Sequence, residues 1–218
     1  MKKIIKKIIL QITRIRYGTV IMGHHVYEEN DFKDFNGVSK KMLYDYLLKN
    51  QKKIVSLDKI LKKSILKFRK ISITFDDGYK DIYNVVYPIC KKLNIPFTIF
   101  IIVDKIDKEG FLSKEEIEEM IKSGLLTIGS HGYSHKILTD YNIDLKKEIL
   151  STKKYLEKAF DYKVDYFAFS HGQFNGKVLK EVKLANYKKS FSASYLSLSN
   201  RVIPRLNLVH FLKPSGNK

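Results

Sequence analysis

The 218-residue sequence predicts an α/β fold of parallel βαβ units, arranged as an open sheet or a closed barrel. Three observations predict it. Short β-branched or aromatic runs alternate with amphipathic helical patterns, giving about seven strands with helices between most of them. The run Phe97-Thr98-Ile99-Phe100-Ile101-Ile102-Val103 is almost unbroken apolar sequence, as expected of a strand buried on both faces of a parallel sheet. Polar clusters fall just after strands, where sheets and barrels of this class place their sites. A hydrophobic fraction of 44%, with 14 Tyr and 13 Phe, belongs to a globular chain, and this length suits one well-cored domain.

The elements follow in order. Residues 1–16 hold six basic residues, no acidic ones, and isoleucines that fit one helical face. The longest apolar run there, Ile8-Ile9-Leu10, is too short for a signal-peptide core or a membrane span. The expectation is a basic amphipathic helix on an anionic membrane surface, or a terminal helix packed on the domain. Without a signal peptide, a cytoplasmic location is expected, with peripheral contact at the inner membrane face. The domain proper is expected over 17–213, with a frayed tail at 214–218. Its first strand, Thr19-Val20-Ile21-Met22, runs into Gly23-His24-His25-Val26. A helix over 38–48 with Met42 and Tyr46 on its apolar face, a strand over 53–55 and a helix over 57–66 come next.

The strand Ile71-Ser72-Ile73-Thr74-Phe75 then breaks at Asp76-Asp77-Gly78. A helix over 81–93 has Ile82, Val85, Val86 and Ile89 at core spacing, with Pro88 expected to kink or end it. Ser113-Lys114-Glu115-Glu116 matches a capping box, and Gly124 stops that helix. A strand over 125–128 enters Gly129-Ser130-His131-Gly132-Tyr133-Ser134-His135. A helix over 143–160, a strand over 164–169 ending in Ser170-His171-Gly172, a helix over 177–185 and strands over 190–193 and 205–209 complete the chain.

The strand-end clusters carry the chemistry. Adjacent side chains on an extended backbone point to opposite sides, so Asp76 and Asp77 can take different jobs, one facing a cation and the other a reacting group. His131 and His135 are four apart, which on a helical turn puts both imidazoles within reach of one ion. Two histidines and a carboxylate form a three-ligand face on a divalent metal, with positions left for water and substrate. Read as helix caps and solvated loop residues, these side chains make sense singly, but their shared placement at strand ends does not. The formal charge of +18 favours anionic partners. Only five of the 41 basic residues are arginine, and no arginine-rich stripe or recognised motif points to nucleic acid. The single cysteine, Cys90, excludes an intramolecular disulfide.

Thr74-Phe75-Asp76-Asp77-Gly78 and Ser130-His131-Gly132-Tyr133-Ser134-His135 resemble the first two motifs of the polysaccharide deacetylase family, carbohydrate esterases with the nodulation-protein-B fold. Met22-Gly23-His24-His25-Val26 resembles the Met-Tyr-His-x-Val start of small members. Phe167-Ala168-Phe169-Ser170-His171-Gly172-Gln173-Phe174-Asn175 resembles their Phe-Ala-Tyr-Pro-x-Gly-x-Tyr-Asn segment. The resemblance implies a distorted (β/α)7 barrel and metal-dependent removal of an acyl group, usually acetyl, from an amino sugar. It implies Asp77, His131 and His135 as ligands of one divalent ion, zinc first, with cobalt, nickel or manganese as alternatives. Asp76 would be the general base, with Arg205 against it. His210 and His171 are candidates for the general acid, the oxyanion donor lies around His171, and His24, Phe169 and Tyr133 would meet the substrate. That substrate is expected in surface polysaccharide or a lipid- or nucleotide-linked precursor. A deformylase on a lipid-linked sugar and a weakly catalytic glycan-binding barrel are the alternatives.

Overall fold

The computed structural model describes residues 18–28, 37–62, 69–193 and 202–212, without the side chains of His210 and Phe211; the stretches 1–16 and 214–218 lie outside it. The strands are β1 (Thr19–Gly23), β2 (His25–Tyr27), β3 (Gly37–Ser39), β4 (Ile71–Phe75), β5 (Phe97–Ile101), β6 (Leu126–Ser130), β7 (Tyr166–Ala168), β8 (Lys189–Ser192), β9 (Val202–Pro204) and β10 (Leu206–Asn207). One sheet runs β10-β1-β4-β5-β6-β7-β8-β9 and every neighbour in it is parallel. Strands β2 and β3 form a separate parallel pair.

The closure of the main sheet is the informative part. Strands β9 and β10 are two halves of one stretch separated only by Arg205, the first half pairing with β8 and the second with β1. Eight segments thus occupy seven positions around a barrel, as the resemblance implied. Pro204 brings no N–H to the ladder, and the Arg205 amide donates to the Ser192 carbonyl at 2.9 Å before the chain passes to β1. The expected strand over 205–209 is shorter than the pattern suggested, because Leu208 already opens the helix Leu208–Leu212.

The other elements stand near their expected places, with informative differences. The helix Lys40–Asn50 is capped by the Ser39 side chain and buries Leu43 and Leu47, while Met42 and Tyr46 are only half-buried. The expected strand over 53–55 is reduced to a bridge between Ile54 and Ile71. Pro88 does not end its helix: the turn before it widens to a π-helical turn, Ile82–Val86, and Tyr87–Leu93 continues as α-helix. A widened turn removes the intrahelical bond and the ring clash that proline would otherwise meet. The Ser113–Glu116 capping box is present on Lys114–Lys122. The helix expected over 143–160 also begins with a π-helical turn, Lys146–Ser151, before Thr152–Phe160.

The strands bury Ile21, Ile73, Phe75, Ile99, Phe167 and their neighbours between barrel and helices, and a smaller cluster of Phe100, Tyr166, Phe191 and Ile203 forms a second core. In β6, Gly129 is fixed by that second cluster. A Cβ there would lie 2.6 Å from the Phe100 ring and 3.1 Å from the Tyr166 carbonyl oxygen. Phe100 in turn lies under the Arg205 guanidinium, 5.0 Å from ring centre to carbon. Gly129→Ala should therefore displace Phe100 and destabilise the fold by about 1–3 kcal/mol, measurable as a lower midpoint in urea unfolding.

Candidate active site

Asp76 and Asp77 leave β4 in a tight turn rather than on extended backbone: Asp77 has φ 72° and Gly78 φ 81°. The two carboxylates still diverge, through the turn rather than through strand alternation. Asp76 is 2% exposed. Its oxygens accept from both ends of the Arg205 guanidinium, Nη1 to Oδ1 at 2.6 Å and Nη2 to Oδ2 at 2.7 Å. Nη1 is shared with Thr74 Oγ1 at 3.1 Å. Burial alone raises the Asp76 pKa, but the Arg205 charge, then His131 and the Arg205 hydrogen bonds, outweigh it and hold the group at about 2. Arg205 is thus where the sequence expected it, and Asp76 is ionised at neutral pH.

Asp77 faces the other way. Its Oδ1 lies 3.5 Å from His131 Nε2 and 3.3 Å from His135 Nε2. These three ligand atoms all lie within 4.8 Å of one another. The histidines meet through an irregular loop, not the helical turn expected from their spacing, with φ 87° at Gly132 and 59° at His135. His131 Nδ1 sits 2.9 Å from the Ala168 carbonyl oxygen, a contact only an N–H can satisfy, so Nε2 is the ring nitrogen that faces Asp77 as a possible ligand. Burial, then the neighbouring His131, holds His135 down at about 4, leaving its ring neutral. Asp77 Oδ1 is buried with no hydrogen-bond donor among the described residues. A buried carboxylate oxygen without a donor, facing the Nε2 atoms of two imidazoles, fits a divalent cation.

The remaining expected residues fall into two groups. His24, between β1 and β2, is half-buried, leaves Nδ1 without a partner among the described residues, and acts electrostatically on Asp76. His171 has φ 56°, its ring lies 4.6 Å from that of His135, and its Nε2 is 3.2 Å from the His135 carbonyl oxygen. Phe169 is a correction: at 1% exposure its ring packs between Phe167 and Phe174, so it supports the wall and offers no ring to a substrate. Tyr133 packs against the core beneath Lys147, whose Nζ is 4.1 Å from the ring centre. The side chain of His210 lies outside the described residues.

Two site residues escaped the sequence reading. Asp81 Oδ2 accepts from Val26 N–H at 2.8 Å and lies 3.0 Å from His25 Nδ1, pinning the segment that follows His24. Glu148 Oε2 accepts from Tyr133 N–H at 2.7 Å and Ser134 N–H at 3.0 Å. A single charged residue on a polar helix gives no sequence signal that it turns inward.

The family model for polysaccharide deacetylase matches residues 63–190. The chain belongs to the polysaccharide deacetylase family. It is 31% identical over 164 residues to the poly-β-1,6-N-acetyl-D-glucosamine N-deacetylase of Staphylococcus aureus, covering 67% of this chain and 57% of that protein. The chain thus spans somewhat more than half the length of the curated relatives it matches. A crystal structure of a polysaccharide deacetylase from Bacillus cereus superposes with a TM-score of 0.73 at 26% identity, covering 87% of this chain and 64% of the other. A Streptococcus pyogenes deacetylase solved with acetate shares the fold, with a TM-score of 0.76 at 21% identity over 87% of this chain and 91% of that one.

The Asp76 pair has a pH signature. Its folded pKa of about 2 lies below the unfolded 3.8, so its stabilisation is full above the unfolded value and is lost as pH falls through the folded one. Asp76→Asn should remove this limb from an acid-unfolding series. Arg205→Met leaves a buried carboxylate unpaired and should cost about 3–5 kcal/mol in urea unfolding at pH 7.

Proposed function

We propose that this chain is a metal-dependent hydrolase that removes the acetyl group from the nitrogen of an amino sugar in polysaccharide. The observation that carries the reading is the buried, donor-less Asp77 Oδ1 facing both histidine Nε2 atoms, with the Arg205-bound Asp76 beside them, its Oδ2 3.9 Å from His131 Nε2. The polymer named for the staphylococcal relative, poly-β-1,6-N-acetyl-D-glucosamine, is the first substrate to try.

In this reading Asp77, His131 and His135 hold the ion, and zinc suits two imidazoles and one carboxylate. Once bound, it would polarise the acyl carbonyl and lower the pKa of water. Asp76, ionised and fixed by Arg205, accepts the proton of the attacking water. Each of its oxygens gives one lone pair to the guanidinium and keeps another for that proton. Arg205 positions the base and does not itself touch substrate. The Gly172 and Gln173 amides are engaged with the Phe169 and Ser170 carbonyls, so in that turn the His171 N–H is assigned to the oxyanion that forms at the carbonyl. Breaking the C–N bond requires a proton on the leaving amine. Of His24 and His171, whose side chains are both described, His24 is assigned as the donor, since His171 Nε2 is held at the His135 carbonyl while His24 Nδ1 has no partner among the described residues and the ring acts electrostatically on Asp76.

Acetate release from the polymer, followed alongside metal analysis, tests the assignment. Asp76→Asn should keep the metal and lose activity by about 10²–10⁴-fold, whereas His131→Ala should lose both. A wild type that takes up no divalent metal overturns the mechanism. For residues 1–16 we propose peripheral contact with anionic membrane. Their deletion should abolish sedimentation with phosphatidylserine vesicles while leaving acetate release from a soluble oligosaccharide unchanged.

A further inference from the structure

Only Gly132, Tyr133 and Ser134 separate the two histidines, so the shape of this short loop sets the distance between the imidazoles. One carboxylate grips it. Besides the Tyr133 and Ser134 amides on Oε2, the Ser134 hydroxyl donates to Glu148 Oε1 at 2.5 Å. Glu148 is 5% exposed and takes part in none of the described ion pairs. A carboxylate so buried must be satisfied by the donors it meets, and here those are three groups of one loop.

The surroundings are shaped to bring it there. Glu148 lies in the π-helical turn Lys146–Ser151, and such a turn re-aims side chains relative to the regular helix that follows. Gly132 has φ 87°, which disfavours any side chain, and a Cβ there would press on Glu148 Oε2 at 3.1 Å. The other flank is tied to the barrel by His131 N–H to the Ile101 carbonyl at 2.8 Å and by Ser170 Oγ to the His131 carbonyl at 3.0 Å. His131 is thus fixed from the sheet, and the chain on to His135 is held on two sides: the Val103 and Asp104 amides donate to the Gly132 and Tyr133 carbonyls at 3.2 and 3.0 Å, while Glu148 takes the Tyr133 and Ser134 amides and the Ser134 hydroxyl.

We propose that Glu148 is a positioning residue that holds the Gly132–Ser134 loop in the ligand-binding shape before the ion arrives, so that the His131–His135 separation is preset. This rests on the metal reading above. A carboxylate that only stabilised the fold would lower the unfolding midpoint and leave the affinity of folded protein unchanged. A positioning group changes affinity and ligand geometry, by about 10–100-fold for residues that orient metal ligands.

The test uses the full chain stripped with a chelator, titrated with zinc against a chromophoric competitor and with cobalt(II) followed by its visible absorption. Glu148→Gln should weaken zinc binding about 10–100-fold and shift the cobalt bands, with the far-ultraviolet circular dichroism unchanged. Ser134→Ala, which removes one of the three bonds, should fall between it and wild type, and decides the matter if Glu148→Gln does not fold. Wild-type zinc affinity and cobalt spectra in the folded variants would overturn the inference while leaving the metal site intact. Failure of the wild type to take up either metal would overturn the metal reading and this inference with it.

Discussion

Arg205 meets Asp76 through two short, parallel hydrogen bonds inside the barrel wall, and both the closure of the sheet and the state of the site depend on that pair. Arg205 sits at the seam, between the half-strand that pairs with β8 and the half-strand that pairs with β1. Asp76 leaves β4, the strand on the far side of β1. The guanidinium therefore reaches past β1, and it also takes Thr74 Oγ1 on β4. A buried ion pair is weak evidence for stability, because desolvation offsets much of the attraction. It is better evidence for specificity here. A seam closed in another register would leave a buried arginine and a buried aspartate without partners, an error costing several kcal/mol.

The rest of the site is held by the same device on a smaller scale, a fixed acceptor gripping the loop that carries a working side chain. The Asp76 amide donates to the Gly23 carbonyl at 3.0 Å, tying Asp76 to the segment that leads into His24. Asp81 grips the next two residues, His25 and Val26, and the Ala168 carbonyl fixes the tautomer of His131. Ser170 stands where many family members have proline, and its hydroxyl donates to the His131 carbonyl. Proline could not make that bond, so the altered third segment loses a rigid ring and gains a direct tie to a candidate metal ligand.

Much of this was legible in the sequence, for identifiable reasons. Strands β4, β5 and β6 are short apolar runs cut off by aspartate, glycine or histidine, and such edges survive tertiary context because both faces are buried. Asp76, Asp77, His131 and His135 were found because they end strands. What failed was local geometry. Spacing of four suggested a helical turn for the histidines, but Gly132 at positive φ makes a bend with the same outcome. Strand alternation suggested divergence for Asp76 and Asp77, but Asp77 at positive φ achieves it through a turn. Phe169 was given to the substrate by the resemblance of its segment, while its ring belongs to the stack with Phe167 and Phe174. Glu148 and Asp81 were invisible because their partners are backbone amides, a hydroxyl and a ring brought near only by the fold.

In the proposed mechanism, the arginine that secures Asp76 also weakens it as a base. A carboxylate held at about 2 is a poorer proton acceptor than an ordinary one, and Brønsted behaviour puts the best base nearer the working pH. In this site availability outweighs strength. Burial alone would push Asp76 toward its protonated form, and a neutral carboxylic acid accepts no proton at all, whereas the paired carboxylate is ionised throughout the neutral range. The bidentate grip also fixes both oxygens, so the remaining lone pairs point in set directions and the proton is taken without reorganisation. The basicity given up must be matched by acidity in the water it deprotonates. In the proposed mechanism a divalent ion held by Asp77, His131 and His135 would supply that acidity, so the proposed roles of Asp76 and of its neighbours depend on each other.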